Sequence, residues 1–286
     1  MGPEALALVL TAALAHAVWN FAAKRVPNGG AVFVQLYFAA AAVLWVPLAL
    51  IWLTVHPATP DWNWGLAVVV SGVLHVVYSV TLQHGYDTAD MNVVYPLARG
   101  TGPLLTVAVA VLLLDERPGA LALAGALLII AGVVVIATGR VPSHGGDRRA
   151  GLVYGVATGA AIAAYTLWDD HAVNALAVPP LPYFAFGCVV QCVLLAPNTW
   201  RARDQVRPMW ADHWREVLAV AVLSPLAYIL VLQAMRMAPV ALVAPARETS
   251  IVIGSLLAWL VLHEPHPARR LVGSAVVLVG IVALLA

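Results

Sequence analysis

The sequence predicts an all-α membrane protein of ten transmembrane helices, arranged as two inverted five-helix repeats. Three observations predict it: a composition too apolar for water, ten apolar segments of near-spanning length, and a register that recurs halfway along the chain. Of 286 residues, 62% are hydrophobic and 10% charged, and the mean hydropathy is +0.89. Soluble domains carry about a quarter charged residues, so lipid must solvate most of this surface. Ten spans of about 20 apolar residues each, with short loops, use nearly the whole chain and leave no room for a soluble domain. The formal net charge of +1 gives no reason to expect nucleic acid as a partner.

The first half holds apolar segments at 4–23, 31–54, 63–84, 90–114 and 118–138, each bounded by Gly, Pro or charge. Ala15-His16-Ala17 resembles a small-x-small cleavage site, but the basic stretch that opens a signal peptide is missing, so the first segment is expected to be a retained helix. Residues 1–138 form the first repeat and 139–150, GRVPSHGGDRRA, the linker. The second repeat, 151–286, holds segments at 151–169, 181–197, 215–235, 239–262 and 268–286.

The halves align with each other. YPLARGTGPLLT and VAPARETSIVIG match Arg99 with Arg247 and Thr101 with Thr249 at an offset of 148, and the same offset matches Glu116 with Glu264, Gly125 with Gly273 and Gly132 with Gly280. Trp19-Asn20 matches Trp168-Asp169 at 149. Five spans is an odd number, so the second half enters the membrane upside down, as in many secondary transporters.

These residues also carry a family resemblance. HAVWNFAAKR, YPLARGTGPLL and the two closing units, LLLDERPGALALAGALLIIAG and LVLHEPHPARRLVGSAVVLVG, resemble the ten-helix EamA-domain members of the drug/metabolite transporter superfamily. The resemblance covers nearly the whole chain. It implies a transporter of the cytoplasmic membrane, whose relatives move amino acids, nucleotide sugars, drugs and other metabolites. It also implies a central cavity lined by the first, third, fourth, sixth, eighth and ninth helices.

Arg99, Arg247 and Glu248 lie eight to ten residues inside apolar runs. A charged side chain at such a depth costs roughly 2.5–3.5 kcal/mol on insertion scales, and normally faces a protein interior or a wet cavity. Two readings stand: arginines that clamp carbonyls freed by Pro96 and Pro245, or arginines that line a substrate pathway. Prolines at matching places in both repeats predict interrupted helices around a midplane site. Two guanidinium forks would recognise a carboxylate or phosphate in two-point contact, which favours an anionic or zwitterionic solute such as an amino acid or organic acid. With one carboxylate, Glu248, against two arginines, the centre is expected to be net positive unless Asp169 and freed carbonyls also serve them. Glu248, the one carboxylate deep in a segment, is the candidate for proton coupling.

Helical spacing gathers further polar groups. His16, Trp19 and Asn20 share a face of the first helix, and Tyr165, Trp168 and Asp169 repeat that pattern on the sixth. Ser71, His75 and Tyr78 share a face of the third, Tyr95 one with Arg99, and Ser224 one with Tyr228. Membrane-belt placement explains His16 and His75 less well than it explains the tyrosines and tryptophans; cavity lining and hydrogen-bonded packing are both open for them. Cys188 and Cys192 read as inert buried thiols, too few for a structural metal, and no cofactor is expected. HExxH, GxSxG and GxxxxGK[ST] are absent, so motif support for metal hydrolysis, serine acyl transfer and direct ATP use is lacking. His84, Asp87 and Asp90, and Asp169-Asp170-His171, read as solvated turns. The rival reading is an integral-membrane enzyme acting on a lipid-linked or small polar substrate.

Loops after odd-numbered helices carry Lys24, Arg25, Arg140, Arg148, Arg149, Arg201, Arg203, Arg207, Arg215, Arg269 and Arg270, whereas the other side carries Arg117 and Arg236. The positive-inside rule then puts the odd loops in the cytoplasm and both termini outside. The resemblance implies termini inside; the chain's own charges are followed here. A C-terminal green fluorescent protein fusion, exported unfolded by the general secretory route, is expected to stay dark, and bright fluorescence would reverse the assignment.

Overall fold

The computed structural model describes residues 1–26, 30–56, 58, 60–89, 91–137, 147–254 and 267–285. Among them there is no strand. The bilayer core offers no water to backbone N–H and C=O groups, so a spanning segment satisfies them internally as helix. The helices are α1 (Pro3–Ala23), α2 (Gly30–Val55), α3 (Trp62–Thr88), α4 (Met91–Leu112) and α5 (Ala120–Ala137) in the first half. The second half holds α6 (Arg148–Asn174), α7 (Pro180–Arg201), α8 (Val206–Met235), α9 (Val240–Arg247), α10 (249–254) and α11 (Pro267–Leu285). Start signals are local. Asp61 accepts from the Trp64 N–H at 3.1 Å to cap α3, Asp147 accepts from the Arg149 N–H at 2.8 Å to cap α6, and Pro3 and Pro180 occupy first-turn positions where their missing N–H costs nothing.

Several elements differ from expectation. α3 runs to Thr88, so His84 and Asp87 are helical and not in a turn; Asp90 lies outside the described residues. α6 continues to Asn174, with no Gly or Pro between Asp169 and that residue, so Asp169-Asp170-His171 is not a solvated turn either. α8 begins at Val206, ahead of the expected 215, and is divided at His213, which has φ −130° and ψ 22°. The expected interruption occurs in one repeat only. α4 passes Pro96 and Pro103 as one helix, since each ring deletes a single hydrogen bond and the remaining ladder carries across. α9 does end at Arg247.

Seven described helices are long and apolar enough to cross a membrane by length and composition, and shorter apolar helices cover Ala120–Ile136 and Leu271–Leu284. The segment expected at 239–262 is described only as far as 254. The fold is thus an all-helical membrane architecture in two repeats.

Helix packing follows a two-fold exchange of the halves. α1 packs on α8 as α6 packs on α3, α2 on α8 as α7 on α3, while α2·α7, α4·α9 and α5·α11 are pairs of equivalents. The core therefore lies between the halves. Glycines set the closest approaches. A methyl at Gly125 would stand 2.6 Å from the Gly280 carbonyl oxygen, and one at Gly132 2.7 Å from that of Gly273. The equivalents predicted by the 148-residue register thus meet crosswise, and this crossing makes α5 and α11 antiparallel, as inverted repeats require. Gly151, Gly155 and Gly159 of α6 take Val93, Leu97 and Thr101 of α4 in ascending order, so those two helices run parallel.

Gly132→Ala, whose methyl would meet facing backbone, is expected to lower stability by about 1–3 kcal/mol, measured as thermal unfolding in detergent. Gly65→Ala, which meets nothing within 4 Å, should leave it unchanged or slightly raised. Equal effects would contradict the close α5–α11 approach.

Candidate functional site

Arg99 sits on α4, three residues after Pro96, and Arg247 ends α9, two after Pro245. Glu248 occupies the turn between α9 and α10. Its N–H donates to the Pro245 carbonyl at 3.0 Å and its carbonyl accepts from the Ile251 N–H at 2.9 Å, a tightening that carries the chain past the break. The carboxylate then lies between the two guanidinium groups. Arg99 Nη1 donates to Glu248 Oε2 at 3.4 Å, and Arg247 Nη2 stands 3.6 Å from Oε1. Glu248 is 2% exposed. Each guanidinium also lies on an aromatic face, Arg99 5.4 Å from the Tyr95 ring centre and Arg247 5.9 Å from that of Tyr165.

A second cluster forms around Asp169, which is 0% exposed. Tyr183 Oη donates to its Oδ1 at 2.6 Å and Tyr228 Oη to its Oδ2 at 2.5 Å. His75 Nε2 stands 3.8 Å from Oδ2. The His75 ring stacks on Tyr165 at 4.2 Å and meets Tyr228 edge-on at 5.3 Å. Tyr78 packs edge-on against Tyr165 at 5.6 Å. Tyr165 therefore joins the two clusters, with His75 stacked against it and Arg247 over its ring.

The burial of Asp169 adds a second deep carboxylate to the one expected from sequence. The two carboxylates are divided in space, because both arginines share Glu248 while Asp169 is held by tyrosines and faces His75.

The remaining candidates are placed differently. His16 meets Trp19 edge-on at 4.8 Å. Trp19 packs with Phe33, Val217 and Val220, and its buried Nε1 has no hydrogen-bond partner among the described residues. Asn20 is exposed and donates to the His16 carbonyl at 2.8 Å. Trp168 donates Nε1 to the Ala67 carbonyl at 3.0 Å, tying α6 to α3. Cys188 is buried and Cys192 accepts from Gln35 Nε2 at 2.9 Å. Among the described residues, no group of three or more His, Cys, Asp or Glu side chains is placed to hold a metal ion.

Two side chains outside the expected set hold this arrangement in place. Tyr183 opens α7 beside prolines; the signal that could have found it is a buried aspartate in need of donors. Glu116, seen only as a repeat match, accepts from the Val240 and Ala241 N–H groups at 2.9 and 3.0 Å. A carboxylate from the loop after α4 thus caps the start of α9, the helix that carries Arg247. Its repeat mate Glu264 lies outside the described residues.

The model of the EamA-like transporter family matches the chain twice, over residues 4–138 and 149–286. The chain belongs to the EamA-like transporter family. A crystal structure described only as "Crystal structure of protein" shares the fold of this EamA-like transporter, with a TM-score of 0.78 at 17% identity over 99% of this chain and 96% of that one. Among curated proteins no sequence matches it significantly.

A hydrogen bond to a charged group contributes about 1.5–3 kcal/mol, and a buried carboxylate that loses a donor is left under-satisfied. Tyr183→Phe is therefore expected to lower the unfolding temperature of the purified protein, and combined with Asp169→Asn it should cost less than the sum of the two single changes. Additive effects would mean that the Tyr183–Asp169 bond contributes nothing.

Proposed function

We propose that this EamA-like transporter carries a small anionic or zwitterionic metabolite, such as an amino acid or organic acid, across the cytoplasmic membrane by alternating access through ten membrane crossings. The observation that supports this most is Glu248 lying between Arg99 and Arg247 at 3.4 and 3.6 Å. A carboxylate of the chain already stands where a carboxylate of the solute would bind. Both contacts are longer than a tight charge-assisted bond of about 2.7–2.9 Å, so a solute able to use the full guanidinium forks competes well for them. Tyr95, Tyr165 and Tyr228 supply apolar surface for the remainder of the solute, and His16, Trp19, Asn20, His75, Tyr78, Trp168 and Asp169 complete the proposed lining.

Coupling follows from the same competition. When the solute carboxylate takes both arginines, Glu248 loses its cationic partners in a poorly solvated place, and a proton neutralises it at lower cost than an unpaired charge. Solute and proton then bind together. Inverted repeats allow the halves to exchange conformations, which moves the opening from one face to the other.

Transport by purified protein in proteoliposomes tests this. Arg99→Lys and Arg247→Lys keep the charge and lose the fork, so solute binding is expected to weaken severalfold with insertion unchanged. Glu248→Gln should abolish accumulation driven by a pH gradient and retain solute exchange. Unchanged binding in both lysine variants, a preference for quaternary cations, or a chemically altered product would each defeat the proposal.

A further inference from the structure

The Asp169 cluster lies apart from the arginine pair, and its geometry fixes where a proton can go. His75 Nδ1 is 2.9 Å from the Ser71 backbone carbonyl, one turn earlier on α3. A carbonyl oxygen only accepts, so Nδ1 carries the hydrogen; the Ser71 hydroxyl, at 3.4 Å, is the longer contact. In the neutral ring Nε2 is then bare, and it is this nitrogen that stands 3.8 Å from Asp169 Oδ2. A bare nitrogen facing a carboxylate oxygen is an unfavourable pair. A proton on Nε2 turns it into a donor facing an anion, with Nδ1 still bonded to Ser71.

We infer that His75 and Asp169 form a second proton-binding site, with Nε2 of His75 as the atom that receives the proton. Tyr183 from α7 and Tyr228 from α8 hold the carboxylate oriented, each donating to one oxygen. From α6, Tyr165 stacks on the imidazole. The nearest cations act through that ring and from the neighbouring helices. Arg247 at the end of α9 lies over Tyr165, and Arg99 on α4, beside Tyr95, shares Glu248 with it. Charging His75 therefore puts a second cation against the ring that already carries Arg247. Repulsion between them weakens the hold of Tyr165 on Arg247, which gives the proton a path of influence to the arginines.

The site spans both repeats, with His75 from the first and Asp169 from the second, and its carboxylate has no two-fold counterpart. Asn20 stands at the position equivalent to Asp169, is uncharged, and bonds to its own helix. A proton here sits between α3 of the first half and α6 of the second, and biases an otherwise two-fold arrangement.

For its use the inference rests on the transporter reading, but its test needs neither solute nor transport. Full-length protein with nitrogen-15-labelled histidine is placed in lipid nanodiscs, and the His75 signals are assigned by their loss in His75→Gln. The expected spectrum of the neutral ring is the Nδ1–H tautomer, and acidification is expected to add the proton at Nε2. Asp169→Asn should reduce the proton affinity of His75 about tenfold or more, by removing the facing anion. Tyr228→Phe, a milder change, should raise it, because Oδ2 loses its competing donor. An Nε2–H tautomer in the neutral ring, a ring that takes up no proton while the protein stays folded, or the same proton affinity in both variants as in the wild type would overturn the inference. The arginine-to-lysine variants test solute recognition separately, so the two proposals can fail independently.

Discussion

Charge inside a bilayer has to be answered within the protein, and four charged side chains here impose that requirement. Arg99 and Arg247 come from opposite repeats, and one carboxylate, Glu248, faces both. For Glu248 to reach them, α9 has to end at Arg247 and the chain has to tighten over the next residues. The start of α9 is fixed in turn by Glu116, from the loop of the other half. The position of the charged centre is therefore held by contacts that cross between the halves. Losing one of them leaves a buried charge or a row of bare N–H groups.

The second requirement is close approach. Gly125, Gly132, Gly273 and Gly280 let α5 and α11 touch backbone to backbone, and the small faces of α6 admit α4. In lipid, helices gain little from hiding apolar surface from one another, so close van der Waals packing at small residues carries much of the association. This apolar frame is nearly two-fold symmetric. The polar content is not: Asp169 is held by tyrosines of its own half and faces His75 of the other, whereas its two-fold counterpart Asn20 bonds to its own helix. Symmetric packing gives the halves interchangeable shapes, and asymmetric chemistry makes the two orientations unequal.

The arginines and Glu248 were legible from sequence because a charge inside an apolar run stands out on its own. For Asp169 the sequence offers two places, a polar helix face shared with Tyr165 and Trp168 and the edge of a solvated turn. Asp169 lies at the end of its apolar run, and a buried carboxylate cannot be distinguished from an exposed one until its donors are known. Those donors come from α7 and α8. Trp19 and Trp168 share a repeat position, and they face two-fold-equivalent helices: Trp168 bonds to α3, and Trp19 packs against α8. For Glu116 the partners lie 124 and 125 residues away, beyond any local pattern.

Composition and the 148-residue register by themselves determined the solvent of this protein, its helical class, its division into two halves and the residues that sit too deep for comfort. Those properties follow from segment length, hydropathy and periodicity, which are local or repeat along the chain. Which charge answers which was decided only in three dimensions. Hydrogen bonds and ion pairs act over a few ångströms, and crossing the halves brings within that range residues that the sequence holds a hundred or more positions apart.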